Sequence, residues 1–153
     1  MKKHLNGVKV PQHKGTSEKQ IVWMDVPEKV TIPMSQQIGP PCEPLVAVGD
    51  EVKVGQKIGF ADHPMSVPIH ASVSGKVTAI EDFLTPMGAM TKAIIITADK
   101  LQEKDPAIAP PVVTDHASFV QAVRDSGLVG LGGASFPTFI KLNPKDLASV
   151  TTL

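Results

Sequence analysis

The chain has 153 residues, 42% of them apolar, and its 15 basic and 15 acidic side chains cancel. That length holds one domain comfortably, and two only if one is small or incomplete. No charge excess attracts a polyphosphate or an anionic bilayer, so nucleic acid is not an expected partner, and a lone cysteine, Cys42, completes neither an intrachain disulfide nor a cysteine-ligated metal or iron–sulfur site.

Residues 1–20 are polar, with Lys2, Lys3, Lys9, Lys14 and Lys19 spread through them, and follow neither the helical nor the strand period. They read as an irregular arm packed along a surface, with Pro11 fixing an extended bend. The first residues carry positive charge with no apolar segment behind it, and no run approaches the roughly 18 apolar residues of a membrane span. The expectation is a cytoplasmic chain without a direct membrane span. Ile21-Val22-Trp23 and Lys29-Val30-Thr31-Ile32 are strand candidates, split by Pro27 and closed by Pro33. Pro40, Pro41 and Pro44 then hold the chain extended.

From Glu43 to Glu81 short Val- and Ile-rich runs (Leu45 to Val48, Val52 to Val54, Ile58 to Phe60, Gly75 to Ile80) alternate with glycine turns. Apolar residues recur at intervals too short for helices, which predicts a small, strongly turned all-β unit. Phe83 to Thr91 is a loop or hairpin tip, and Lys92 to Ala98 is a strand whose unbroken apolar run implies burial on both faces. This β domain is assigned to residues 21–102, a Pro-rich linker to 103–113 and a second unit to 114–153. In the second unit Thr114 or Asp115 caps a helix to about Asp125, with Ala117, Val120 and Val123 on one stripe and Gly127 as its stop.

After that helix, Gly127-Leu-Val-Gly-Leu-Gly-Gly places four glycines in seven positions, followed by Ser135, Thr138 and Lys141. Bare main-chain N–H groups beside a cation suit a phosphate or a phosphorylated cofactor, while the same residues also serve as a ligand-free turn between helices. No Gly-Lys-Ser/Thr follows, so the loop is not of the Walker type. His4, His13, His63, His70 and His116 are scattered without an i, i+4 pair, which argues against a metal site, and no residue is assigned a catalytic role. Cys42, between Pro41 and Glu43, has no neighbouring base and reads as a buried, inert thiol. Asp62 and His63 read as solvated residues of a loop tip.

The β unit resembles the lipoyl and biotinyl domain family: VAVGDEVKVGQKIG is similar to its hairpin and HASVSGKVTAI to its Ala-Pro-x-x-Gly-x-Val strand. That implies a barrel-sandwich hybrid. Those carriers bear their swinging arm on a hairpin-tip lysine, whereas the corresponding loop here, Ala61 to His70, contains none. Taken in order, IPMSQQIGPPCEPLVAVGDEVKVGQKIG, PIHASVSGKV and GLVGLGGASFPTFIKL resemble the C subunit of Rnf-type electron-transport complexes. The arm VKVPQHK is a weaker match to that family's start, with Lys9-Val10 in place of Ile-His.

The resemblance implies a mainly β fold, a barrel-sandwich hybrid domain followed by the short, α-containing start of an α/β Rossmann-like domain. It implies that Gly130, Gly132, Gly133, Ala134, Ser135 and Lys141 contribute to an FMN and NADH site, with Ser135 standing where the family has glycine. It also implies [4Fe–4S] clusters only downstream of this chain, which is expected to be an N-terminal fragment, inactive and without bound cofactor on its own. The parent protein would be peripheral on the inner face of the cell membrane, partnered by other subunits and NADH, and would pass electrons between NAD(H), flavin and iron–sulfur clusters in an ion-translocating ferredoxin:NAD oxidoreductase complex. Two alternatives stand beside it: a non-catalytic barrel-sandwich docking module, and part of a cobalamin-reductase-type flavoprotein.

Overall fold

A computed structural model describes residues 11–146; the first half of the polar arm, with Lys9-Val10, and the last seven residues of the second unit lie outside the described residues. Seven strands and two helices follow in chain order: β1 (Lys29–Pro33), β2 (Glu43–Pro44), β3 (Glu51–Val52), β4 (Lys57–Phe60), β5 (Ile69–His70), β6 (Gly75–Leu84), β7 (Met90–Ala98), α1 (His116–Asp125) and α2 (Thr138–Lys141). The strands form two antiparallel sheets, ordered β1-β7-β6-β3 and β2-β4-β5. A register shift between Val77 and Ala79 bends β6 so that the larger sheet curls into a half-barrel, and a second shift between Lys57 and Gly59 bends the smaller sheet. This is the mainly β, barrel-sandwich architecture expected from the turn-bounded runs.

One apolar core lies between the sheets, built from Ile32, Met34, Cys42, Val52, Ile58, Ile69, Val77, Ile94 and Ile96 with smaller neighbours. Alternation along β7 sends Ile94 and Ile96 into this core, and Ala93 and Ile95 on its other face are buried as well, as the unbroken apolar run requires. Gly75 opens β6 at φ 147°, where a Cβ would collide with the carbonyl oxygen of Thr97, so only glycine allows β6 and β7 to meet there.

Two expected strands are absent. Ala47 to Asp50 form a turn, with Ala47 N–H donating to Asp50 Oδ2 at 2.8 Å and Gly49 at φ 104°, so Leu45 and Val48 face solvent and the bonding of β2 to β4 ends where Leu45 N–H donates to Ile58 O at 2.8 Å. Ile21-Val22-Trp23 pairs with no strand among the described residues and, with Met24, is 84–90% exposed, so residues 11–25 do not pack along the barrel. The candidate Val52 to Val54 is split: Val52 ends β3, and Val54 makes a parallel bridge to Lys104.

That bridge ties the start of the Pro-rich stretch to the barrel. Val54 N–H donates to Glu103 O at 2.8 Å, Asp105 N–H donates to Val54 O at 3.0 Å, and the Ile108 side chain lies over Gly55. Beyond it, the Asp115 carboxylate accepts from Ser118 N–H at 2.7 Å and the Ser118 hydroxyl accepts from Asp115 N–H at 3.0 Å, a capping box that starts α1 where the sequence indicates. Gly127 at φ 70° ends the helix so close to β5 that a Cβ there would sit 2.6 Å from Pro68 O and 3.2 Å from His70 Nδ1.

Candidate functional site

The glycine-rich stretch closes on itself. Val129 bridges Pro137, Gly130 N–H donates to Phe136 O at 2.9 Å and Thr138 N–H donates to Leu128 O at 3.0 Å. Leu131 to Ala134 form its exposed tip, and α2 follows at once. Lys141, one turn along α2, returns over the loop: its Nζ is 3.5 Å from the Cβ position of Gly130 and 5.7 Å from the centre of the Phe136 ring. Gly130 and Lys141 are thus brought together, whereas a Cβ at Gly132 or Gly133 would meet no atom of the described residues within 4 Å. The N–H groups of Gly132, Gly133 and Ala134 make no hydrogen bond among the described residues. Lys141 places a cation beside Gly130, at the base of this tip.

Ser135, where a glycine is expected, adopts φ 52°. The serine therefore keeps the left-handed backbone a glycine would take freely, at a cost of about 1 kcal/mol or more. Its carbonyl accepts from Ile38 N–H at 3.5 Å, a long contact from the loop to the barrel.

The second place of interest is Ala61 to His70, the loop that carries the arm in lipoyl and biotinyl domains. Asp62 is exposed and His63 half-buried, with His63 Nδ1 accepting from Met65 N–H at 3.2 Å. The rest is folded inward: Ser66 is fully buried, and Val67, Pro68 and Ile69 are buried with it. Ser66 Oγ accepts from Ala61 N–H at 3.2 Å, and Gln37 Oε1 accepts from Val67 N–H at 3.1 Å. Cys42 Sγ donates to Val67 O at 3.6 Å, and burial pushes its thiol above the ordinary value, consistent with an inert cysteine.

Arg124 of α1 closes this loop from above. Its Nε donates to Ser66 O at 3.0 Å and its Nη2 to His63 O at 3.1 Å, while its guanidinium lies 5.8 Å from the Phe60 ring and 5.2 Å from the Phe139 ring. One side chain thus joins loop, barrel strand, helix and the segment after the glycines. Nothing in the sequence marks it, because its partners lie 58 and 61 residues away.

A cavity of about 120 Å³ lies between Gln36, Gln37, Pro68, His70, Gly127 and Val129, and a cleft of about 560 Å³ opens between Lys57, His70, Asp105, Ile108 and Asp125. His70, shared by both, is held below its usual pKa by burial and by Lys57, with Asp125 opposing. Neither space is lined by residues 130–141. Among the described residues no cluster of three or more His, Cys, Asp or Glu is arranged to hold a metal, and no helix is long and apolar enough to cross a membrane.

Residues 2–101 match the family described as the RnfC barrel sandwich hybrid domain. The chain belongs to the RnfC family. It is 42% identical over 140 residues to the C subunit of the Na(+)-translocating ferredoxin:NAD(+) oxidoreductase complex of Acetobacterium woodii, covering 89% of this chain and 32% of that protein. It is 40% identical over 134 residues to the C subunit of the proton-translocating ferredoxin:NAD(+) oxidoreductase complex of Clostridium ljungdahlii, covering 86% and 29%. The C subunit of the ion-translocating oxidoreductase complex of Rhodobacter capsulatus is 36% identical over 153 residues, 96% of this chain and 29% of its own. The chain spans about a third of the length of these RnfC relatives.

Proposed function

We propose that this chain is the N-terminal part of the C subunit of an ion-translocating ferredoxin:NAD oxidoreductase complex, peripheral on the inner face of the cell membrane and partnered by the complex's other subunits. In that reading the barrel is a non-catalytic platform, and the glycine-rich loop begins a site for FMN and NAD(H). The observation that carries it is the reach of the similarity: the Rhodobacter capsulatus relative aligns over 96% of this chain, so the helix and the glycine loop are included with the barrel. The lysine-free loop held down by Arg124 supports a platform rather than a mobile carrier.

The loop's residues fit one end of a flavin mononucleotide. Free N–H groups at Gly132, Gly133 and Ala134 and the Lys141 ammonium suit its phosphate, and no Cβ obstructs approach at either glycine. The two cavities described above lie elsewhere. Bound flavin would supply the two-electron to one-electron conversion between NAD(H) and iron–sulfur clusters, and this chain's part is to hold the phosphate and to position the loop against the barrel. The [4Fe–4S] clusters belong outside residues 1–153 in this reading.

The test compares the isolated 153-residue chain with the full-length protein. Ordering an open glycine-rich tip costs about 1–2 kcal/mol per residue, which an incomplete pocket does not offset, so the isolated chain emerges colourless. In the full-length protein Gly133→Val lowers the flavin-to-protein ratio, because valine is excluded from φ 66°. Stoichiometric flavin on the isolated chain, or unchanged flavin in the full-length variant, overturns the assignment of this loop.

A further inference from the structure

The β6–β7 hairpin outruns the sheet that contains it. β1 pairs with β7 only from Ala93 to Thr97, with one further bond from Met34 N–H to Lys92 O, and β3 pairs with β6 only at Gly75 and Lys76. Among the described residues, the strands from Phe83 to Thr91 hydrogen-bond only to each other, and Thr85 closes the turn through Gly88 and Ala89. This projecting tip has no charged residue in nine positions, and it exposes Leu84 (62%), Met87 (92%) and Met90 (60%). Cross-strand register sets Leu84 opposite Met90 and Asp82 opposite Lys92, so alternation places an apolar pair directly above an ion pair of 2.7 Å on one face.

The neck of the hairpin is unfinished. A cavity of about 270 Å³ there is lined by Cys42, Glu43, Asp82, Met90, Thr91 and Lys92. Thr91 Oγ1 is buried beside it without a hydrogen-bond partner among the described residues. A buried hydroxyl left without a partner marks a place where another group completes the structure. Glu43 and Asp82 outweigh Lys92 at this neck, so its charge is negative.

We propose that the β6–β7 hairpin is a docking arm for another protein subunit, one that presents an apolar pocket rimmed by a lysine or arginine. Methionine side chains suit the pocket because they adapt to irregular apolar surfaces, and the acidic neck suits the basic rim. A bilayer is the poorer occupant. Interfacial anchors combine apolar residues with lysine, arginine or tryptophan, whereas here an acidic neck without tryptophan faces the same way as the tip. That the partner is a subunit of the complex rests on the function proposed above; the docking role rests on the hairpin.

The experiment uses the tagged full-length protein in its native membranes, with a photoreactive benzoyl-phenylalanine in place of Met87. Irradiation should yield an adduct to an apolar segment of another subunit that contains a lysine or arginine. An adduct to lipid alone, an adduct within the same chain, or no adduct overturns the proposal. In parallel, Met87→Glu and Glu43→Lys should each lower recovery of co-purified subunits about tenfold, and Met87→Leu should not. Met87 is almost fully exposed, so thermal unfolding of the glutamate variant should match wild type. Wild-type protein that recovers no other subunit sinks the complex reading; equal recovery by wild type and Met87→Glu sinks only the docking arm.

Discussion

Arg124 Nε donates to the carbonyl oxygen of Ser66 at 3.0 Å, and this contact holds the glycine-rich segment's helix against the barrel. The same guanidinium reaches His63 O at 3.1 Å. Charged hydrogen bonds to partly buried carbonyls contribute about 1.5–3 kcal/mol. Arg124→Ala should therefore lose about 2 kcal/mol and speed amide exchange in residues 61–70 and in α1 while leaving β6 and β7 protected. Arg124→Lys, lacking the planar fork, should recover only part of the loss. Unchanged exchange in both regions would show that the helix is held by other contacts.

Gly75→Ala places a methyl against the Thr97 carbonyl where β6 begins beside the end of β7, at a positive φ. The expected cost is about 3 kcal/mol or more, from strain together with the parted strands. Gly88→Ala, also at positive φ but with open space around it, should cost only about 1 kcal/mol. Urea titrations of the two variants that gave equal midpoints would contradict this.

Burial and Lys57 lower the pKa of His70 in the folded chain, so the unfolded chain binds the proton more tightly. Stability then rises with pH where the two states differ in bound protons. The contribution of neutral His70 is complete above the ordinary histidine value of about 6.5 and is lost as pH falls below it toward the depressed folded value. Melting temperatures measured across pH 5 to 8, an interval set by histidine's ordinary range, should decline on the acidic side, and His70→Gln should reduce that decline. An identical acid limb in the variant would assign it to other groups.

The loop from Ala61 to His70 should accept neither biotin nor lipoate when the chain is co-expressed with the respective ligases. It contains no lysine and folds inward through Ser66 and Val67. Asp62→Lys, which supplies an exposed amine on the same loop, should also stay unmodified because Arg124 and Gln37 keep the loop from standing up as a tip. Intact mass spectrometry reads both outcomes, and an adduct on either protein would show that the loop can open.

Local signals made part of this structure readable in advance. The helix from His116 to Asp125 declares itself through Asp115 at its start and Gly127 at its stop, and both act within one turn. β7 declares itself because Ile94, Ile95 and Ile96 leave no polar face. Leu45 to Val48 misled because its composition suits a strand, while the Asp50 side chain turns the backbone, so that only Leu45, through its N–H to Ile58 O, still bonds to β4. At the candidate site, glycine density showed a loop but could not show that Lys141 returns to Gly130, since that depends on where α2 begins. Arg124 and Thr91 were silent for the same reason: their significance depends on residues distant in sequence or on a cavity formed by three separate segments.

The pairing of β1 with β7 sets an order for synthesis. Lys29 pairs with Thr97, so sixty-eight residues must leave the ribosome after Lys29 before its partner appears. At about 5–20 residues per second, β1 waits several seconds with Val30 and Ile32 uncovered. The β6–β7 hairpin needs only its own turn and closes within about 10 microseconds of emerging. The nascent barrel is therefore assembled backwards: the last strands made become the template, and the first strand made is the last to be added to its edge.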